Sequence, residues 1–441
     1  YMKNKKWMAI LLGGIMAASL AAPCSVSAAE KTTLTFWHAM GGTNGEVLQQ
    51  IVDDFNASQD EIEVKAEYQG TYDDTITKLK AAMQSDSGLP DVCQMYDVGT
   101  KFMYDSGAVI PVEDKFESTG YDKSSVMDVI SSYYTVEGKQ YAMPFNVSTP
   151  MLYYNKDVFE AAGLDPETPP TTYDEVLEDA KKIVESGAAP VGYSQAIYGW
   201  FFEQQLAGLG VTYGNNDNGR TEAVTAVDFD SNGGGLKVFD MWKKLYDSGY
   251  FEDYGTTTAD TQTAFFSGQV GMFIESTAIL KNAVDSSPFE VGTGYLPRIE
   301  QNDEGGVIIG GGSLWLTDTG NEANEDAAWK FIEYITTPDV QAKWSMGTGY
   351  FAINEKAYET DDMKAYLKEN PNFETAINQL KDSPVNCNTA GVLSGVQTEA
   401  RLTFNEIMPQ VYDGKLTTQD AVDQLAASVN KAIENYNESI K

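Results

Sequence analysis

The sequence predicts an α/β protein of two doubly wound lobes joined by hinge crossovers, and three observations carry that prediction. The stretch after residue 30 alternates strand and helix patterns; Pro144–Asp157 (PFNVSTPMLYYNKD) joins it to a second set of helices and strands; and the chain has 441 residues. Hydrophobic cores stop growing beyond about 250–300 residues, so a chain of this length divides into domains.

The first residues read as a leader and not as fold. Lys3, Lys5 and Lys6 form a positive n-region, Trp7–Ala22 is a short apolar run, and Val26-Ser27-Ala28 is an A-x-A-like cleavage site. A signal peptide over 1–28 is expected, with the mature chain starting at Ala29. Cys24 offers a competing route, acylation and a lipid anchor, so the expected location is exported: periplasmic, or at the cell surface.

The mature chain opens with a strand at Thr33–His38 (TLTFWH). A helix follows whose apolar residues Val47, Leu48, Ile51, Val52 and Phe55 share one face. Glu61–Tyr68 alternates as a second strand, Thr71 with Asp74 caps a second helix, and Asp91–Tyr96 is a third strand. This β-α-β-α-β order implies a parallel sheet, whose ligands bind beyond the carboxyl ends of the strands. Trp37 and His38 end the first strand, Tyr72 begins the helix after the second and Asp97 follows the third. These four are expected on one rim, either as ordinary packing or as part of a cleft.

Beyond the crossover, Thr172 and Glu175 form a capping box for a helix carrying Val176, Ala180, Ile183 and Val184 on one face. Tyr198–Phe202 (YGWFF) is an aromatic cluster near a turn, and Asn215–Arg220 (NNDNGR) reads as a loop. Val270–Ile274 is a buried strand returning toward the first lobe, and Val307–Leu316 (VIIGGGSLWL) another, with three central glycines. A helix over Asp326–Ser345 should break near Pro338, and Thr418–Ile433 is the last amphipathic helix. The expected division is 29–147 with 277–318 in lobe 1, and 148–276 with 319–441 in lobe 2.

Composition excludes several classes of function. Without the three leader lysines the balance is 27 basic to 65 acidic residues, a net charge of −38. Such a field repels nucleic acid and anionic membranes, and it keeps an exported monomer soluble. His38 is the single histidine, so a His/Cys zinc site has too few ligands and a Ser-His-Asp triad would have to use that residue. The sequence has no GxxxxGK[ST] segment and no GxSxG elbow; Gly310-Gly311-Gly312-Ser313 continues into Leu314 and Trp315. No cofactor is expected. Cys93 and Cys387 are expected as two unpaired buried thiols.

Arginine is scarce: only Arg220, Arg298 and Arg401 occur. In so acidic a protein an anionic ligand needs a local fork of donors, which a guanidinium supplies best. Arg401, just after the Gly/Ser-rich NCNTAGVLSGVQTEA run, is therefore either such a group or one partner of a helix-surface ion pair with Glu399 or Glu406.

FWHAM, YQGTYDD, QMYDVGT, MPFNVSTPMLYYNKDVFEAAGLDP, IIGGGSLW and GTGYFAINEKAY together resemble the extracellular solute-binding proteins of family 1. The resemblance runs from about Thr33 to the last helix, and it is narrower toward the branch that captures sn-glycerol-3-phosphate and glycerophosphodiesters. It implies a periplasmic-binding-protein-like (type II) fold and a substrate-binding role beside ABC permease subunits, without catalysis. It implies ligand contacts at Tyr72, Ser148, Ser276, Gly311 and Tyr350, and a phosphate-pairing role for Arg401. Asp97 stands where the family has Glu; of two aromatic positions Trp200 keeps its ring and Ile197 does not. With Trp37 and His38 from the rim, these are the expected site residues, Tyr350, Trp200 and Arg401 being assigned to lobe 2.

Three functions are consistent with these features. The first is capture of a glycerophosphate or glycerophosphodiester, such as glycerophosphocholine, by hinge closure. The second is capture of a mono- or oligosaccharide on the same fold, which would not require Arg401. The third, an exported glycerophosphodiester hydrolase, is opposed by the lack of metal-ligand clusters.

Overall fold

The computed structural model describes residues 31–85 and 88–441, so the expected leader, its cleavage site and Cys24 lie outside the described residues. Twelve strands organise the described residues: β1 (Thr32–His38), β2 (Ile62–Tyr68), β3 (Val92–Tyr96), β4 (Val109–Ile110), β5 (Thr135–Val136), β6 (Lys139–Gln140), β7 (Met143–Ser148), β8 (Pro150–Asn155), β9 (Val191–Ser194), β10 (Val270–Ser276), β11 (Val291–Gly294) and β12 (Gly310–Thr317).

The first sheet runs β2-β1-β3-β12-β4, with β7 also on β12. β1 is parallel to β2 and to β3, as the alternating pattern predicts, whereas β12 enters antiparallel to β3, β4 and β7. The second sheet runs β11-β8-β10-β9, and β5 and β6 form a separate hairpin. In β1, Leu34, Phe36 and His38 alternate inward. Leu48, Ile51, Val52 and Phe55 of the helix Gly42–Ser58 are buried, on the face the apolar spacing selects. In lobe 2 the helix Thr172 caps, Tyr173–Glu185, keeps its complete capping box.

The lobes are joined where three segments cross. β7 belongs to the first sheet and β8 to the second, with Thr149 between them. Thr149 N–H donates to Thr277 Oγ1 at 3.0 Å and Thr277 N–H to the Thr149 carbonyl at 2.7 Å, which ties the first crossing to the residue that follows β10 in the second sheet. The second crossing approaches β12: the side chain of Gln204 accepts from Ile308 N–H and donates to the Ile308 carbonyl, each at 2.8 Å. The third follows the helix Pro338–Thr348, where Phe351 N–H donates to the Val147 carbonyl at 3.0 Å. Reciprocal bonds of this kind fix the hinge strands while leaving the lobes attached through few residues.

The hydrogen bonds and packing redraw the expected division in two places. β11, within the 277–318 segment expected in lobe 1, pairs with β8 of the second sheet. The helices Glu322–Ile335 and Pro338–Thr348, expected in lobe 2, pack on the first sheet: Phe331 lies 5.6 Å from Phe36 and 5.2 Å from Phe55, and Trp344 stacks on Phe145 at 4.4 Å. Apolar periodicity shows that a helix buries a face; it carries no information about which sheet receives it. The break itself falls as expected, with Pro338 in the first turn of the second helix, where its missing N–H is harmless.

Two further departures are local. Asn215–Arg220 is not open loop but a left-handed turn, with φ of 55°, 54° and 60° at Asn216, Asp217 and Asn218, residue types that tolerate that region. YGWFF opens a helix, Gly199–Gly208, buried along its whole length at the centre of lobe 2. Cys93 and Cys387 are both free, the second only half-buried. Burial raises the Cys93 thiol to about 12, so it is an inert packing group.

The glycines of β12 are needed for the crossing. Gly311 has φ +92°, and a Cβ there would lie 1.8 Å from the Asn146 carbonyl oxygen on β7, beside a shift of register between Gly311 and Ser313. Gly311→Ala is expected to destabilise the fold by about 2–3 kcal/mol or more, since both the left-handed backbone and the contact oppose a side chain. Urea unfolding checks this; a loss within about 0.5 kcal/mol would mean that the strand crossing is looser than drawn.

Candidate functional site

A cavity of about 530 Å³ lies where β3, β7, β10 and β12 end against the helices Gly199–Gly208 and Gln397–Tyr412. Six of the ten expected residues line it: Asp97, Ser148, Trp200, Ser276, Gly311 and Arg401. Each is positioned by an element end. Asp97 follows β3, Ser148 ends β7 opposite Gly310, and Ser276 ends β10 with its Oγ accepting from Ala278 N–H at 3.1 Å. Trp200 lies against Gly310, where a Cβ would come within 2.8 Å of its ring.

Arg401 is the charged centre of this site, and it is not a surface pair with Glu399 or Glu406. Its Nε donates to Glu203 Oε1 and its Nη2 to Glu203 Oε2, both at 2.8 Å; Nη2 also reaches Asp97 Oδ2 at 3.2 Å. Gln397 Nε2 holds Glu203 Oε1 from the other side at 2.9 Å. The two helices can approach this closely because residue 199 is glycine: a Cβ there would lie 2.5 Å from Arg401 Cα. Burial alone would lower the guanidinium pKa, but Glu203 and then Asp97 outweigh it and hold it well above its ordinary value. The pair Arg401–Asp97 joins lobe 2 to lobe 1, and Tyr96 with Thr398, 3.2 Å between hydroxyls, does so beside it.

Arg401 Nη1 donates to no protein group and is not sealed within the protein. The other two arginines have both terminal nitrogens engaged. Arg220 donates to the carbonyls of Tyr133 (2.6 Å), Ala390 (2.5 Å) and Gly391 (3.0 Å), and Arg298 to those of Asn302 (2.8 Å) and Gly305 (3.0 Å). Clefts of about 620 Å³ border both, but their guanidiniums are occupied with backbone.

Tyr72 and Tyr350 stand one layer behind the cavity, around Asn146. Asn146 Nδ2 donates to the Tyr72 hydroxyl at 2.8 Å, Tyr72 stacks on Tyr96 at 5.1 Å, and Tyr350 borders the same Asn146. Tyr350 stacks on Trp344, and its neighbour Phe351 bonds Val147, so it belongs to lobe 1 and not to lobe 2. Trp37 and His38 are not brought in. Trp37 Nε1 donates to Glu67 at the surface, and His38 packs between Phe36 and Tyr68 with its Nδ1 accepting from Met40 N–H. Gln94 fills the space beyond β1, bonded to Ala39 N–H and to Asn146 Oδ1. Burial lowers the His38 pKa to about 4, which leaves the ring neutral. Ile197 is buried in the lobe 2 core and does not line the cavity.

Sequence reasoning missed Glu203, Tyr198, Glu275, Gln262, Asn405 and Thr256–Thr258. The last seven border the cavity, and Glu203 anchors Arg401. Glu203 had a signal: an acid inside an aromatic, fully buried run calls for a cationic partner.

The family profile for bacterial extracellular solute-binding proteins matches residues 50–375. The sn-glycerol-3-phosphate-binding periplasmic protein UgpB of Escherichia coli K12 is 30% identical over 417 residues, 93% of this chain and 94% of that protein. This chain is a bacterial extracellular solute-binding protein. Among solved structures, the cyclic α-maltosyl-1,6-maltose binding protein of Arthrobacter globiformis is similar at TM-score 0.77 and 26% identity, covering 92% of this chain and all of that one. UgpB of Mycobacterium tuberculosis, solved with glycerophosphocholine, matches with TM-score 0.77 at 21% identity over 92% of this chain and all of that one. The fold is thus the type II periplasmic-binding-protein fold. As a solute-binding protein the chain is the substrate-binding component of an ABC importer and not an enzyme. No helix among the described residues is long and apolar enough to cross a membrane.

Arg401→Ala leaves Glu203 buried without its cation, so the variant is expected to lose about 3–5 kcal/mol of stability. Adding Glu203→Gln should recover part of that loss. Equilibrium unfolding of the single and double variants checks the coupling, and equal stabilities for the two would show that Glu203 does not depend on Arg401.

Proposed function

We propose that this solute-binding protein captures a glycerophosphodiester, held between the lobes with its phosphate on Arg401. The carrying observation is the free Nη1 of a guanidinium already fixed by Glu203 and Asp97 at the cavity wall. Fixed donors lose little freedom on binding, and charge-assisted bonds to phosphate are among the stronger ones. The 30% identity to a glycerol-3-phosphate-binding protein over nearly the whole chain supports the same class.

Charge favours the diester over the monoester. One guanidinium with two carboxylates carries a net −1. A phosphomonoester bears about −1.5 to −2 at pH 7, since its second pKa is near 6. A diester carries a single negative charge and meets less repulsion from Glu203 and Asp97. The glycerol hydroxyls would find Ser148, Ser276 and Asp97, and the carbon backbone the face of Trp200. Ligand contacts to both lobes stabilise the closed form, which is the form a permease would engage.

A sugar is the second reading. It is favoured by the aromatic wall of Trp200 and Tyr198 and by the likeness to a maltosyl-maltose binder.

Titration calorimetry with glycerophosphoglycerol, glycerol-3-phosphate and maltose separates the readings. Glycerophosphoglycerol is expected to bind more tightly than glycerol-3-phosphate, and maltose not to bind. Arg401→Lys keeps a charge between Glu203 and Asp97 but loses the fork, so it should weaken diester binding by roughly tenfold or more. Binding of maltose with both phosphates silent would replace this reading with the sugar one.

A further inference from the structure

Two contacts between the lobes lie outside the ligand cavity and take no part in capture. The first is made by Arg220, whose guanidinium bonds only backbone carbonyls. In lobe 2 it donates to Ala390 and Gly391; across the gap it donates to the Tyr133 carbonyl of lobe 1 at 2.6 Å. It also lies over the Tyr133 ring, 5.2 Å from the centroid. Tyr133 packs in the core around the first sheet, and Val392, next to Gly391, in the core of lobe 2. A cation held by neutral carbonyls alone loses part of its acceptor set when the lobes part.

The second contact is made by Tyr436 of the last helix, Thr418–Ser439, which Asn437 ties to the Val224 carbonyl of lobe 2. The Tyr436 hydroxyl donates to Asp105 Oδ2 at 2.7 Å, and Lys101 Nζ holds the same carboxylate. Lys101 and Asp105 belong to the helix Thr100–Asp105 of lobe 1, just beyond Asp97. The Tyr436 ring fits here because residue 395 is glycine: a Cβ there would come within 2.2 Å of it. None of these residues lines the ligand cavity, so both contacts form whether or not a ligand is held. Beside Arg220 a separate cleft of about 620 Å³ opens between the lobes, walled by Ser131, Ser132 and Glu137 on one side and Asp217, Asn386 and the half-buried Cys387 on the other.

We infer that Arg220 and Tyr436 form a clasp that holds the lobes together independently of ligand, and so sets affinity without touching what is bound. Ligand closes only on molecules whose lobes are joined, and the apparent dissociation constant rises as that fraction falls. The clasp therefore acts equally on every ligand, whereas Arg401 acts on phosphates. The inference does not depend on which ligand is captured.

The test starts with ligand-free protein in a Cys24→Ser background, where Cys93 is buried and Cys387 is the accessible thiol. Tyr436→Phe keeps the ring, removes the bond to Asp105, and alters no group that bonds Arg220 or Cys387. It should speed maleimide labelling of Cys387 by about threefold or more, with Cys93 silent. Arg220→Lys keeps the charge, loses the fork and should act in the same direction. Small-angle scattering should give a larger radius of gyration for both variants, their folds checked by circular dichroism. In calorimetry glycerophosphoglycerol and glycerol-3-phosphate should lose affinity for Tyr436→Phe by one common factor. Unchanged labelling and radius in folded Tyr436→Phe overturn the clasp, and so do unequal losses for the two ligands. Faster labelling confined to Arg220→Lys also overturns it, since that reports only local loosening beside Cys387. If neither phosphate binds, the diester reading falls, and labelling and scattering alone decide the clasp.

Discussion

The bond from Arg401 to Glu203, extended to Asp97, is the constraint on which the site depends. It joins two helices of lobe 2 and reaches across to the end of a lobe 1 strand. A guanidinium inside protein is tolerable only with carboxylates beside it, and two carboxylates leave the cluster acidic overall. The arrangement therefore places a fixed fork of donors in the cavity without making the cavity strongly basic. That balance favours ligands of low net charge that still offer a phosphate.

Close approach of backbone makes this geometry possible. Gly199 lets two helices touch at Arg401, Gly310 lets the Trp200 indole lie on a strand, and Gly311 lets β12 pass β7 at the crossing. These three glycines do different work from the many turn glycines of the chain, because each faces a specific atom of the site. The hinge is held by equally specific bonds, Thr149 with Thr277 and Gln204 with Ile308. Rigid lobes connected through such a narrow set of bonds can shift relative to one another while their cavity walls stay intact.

Much of this was legible from residues alone. The β-α-β-α-β order, the crossover at PFNVSTP and the break at Pro338 all follow from short-range patterns, and the structure has them. Six expected site residues line the cavity because strand ends are readable from periodicity and the resemblance marks which ends matter. Trp37 and His38 were placed by the same strand-end reasoning, yet Gln94 of the neighbouring strand occupies the space beyond them. A rule about strand ends cannot see a side chain reaching in from the next strand.

The sequence by itself determined the strand and helix order, the faces those elements bury, the scarcity of cationic side chains and the shortage of histidine and cysteine ligands for zinc. Each is a property of residue type and local spacing. Only the tertiary structure decided that Arg401 pairs with Glu203, nearly two hundred residues away, that the helices Glu322–Ile335 and Pro338–Thr348 and Tyr350 belong to the first lobe, and that Glu275 borders the cavity without a cation. Those facts depend on which surfaces meet after the chain crosses three times between its lobes. Contact between distant segments is set by packing, and local pattern holds no record of it.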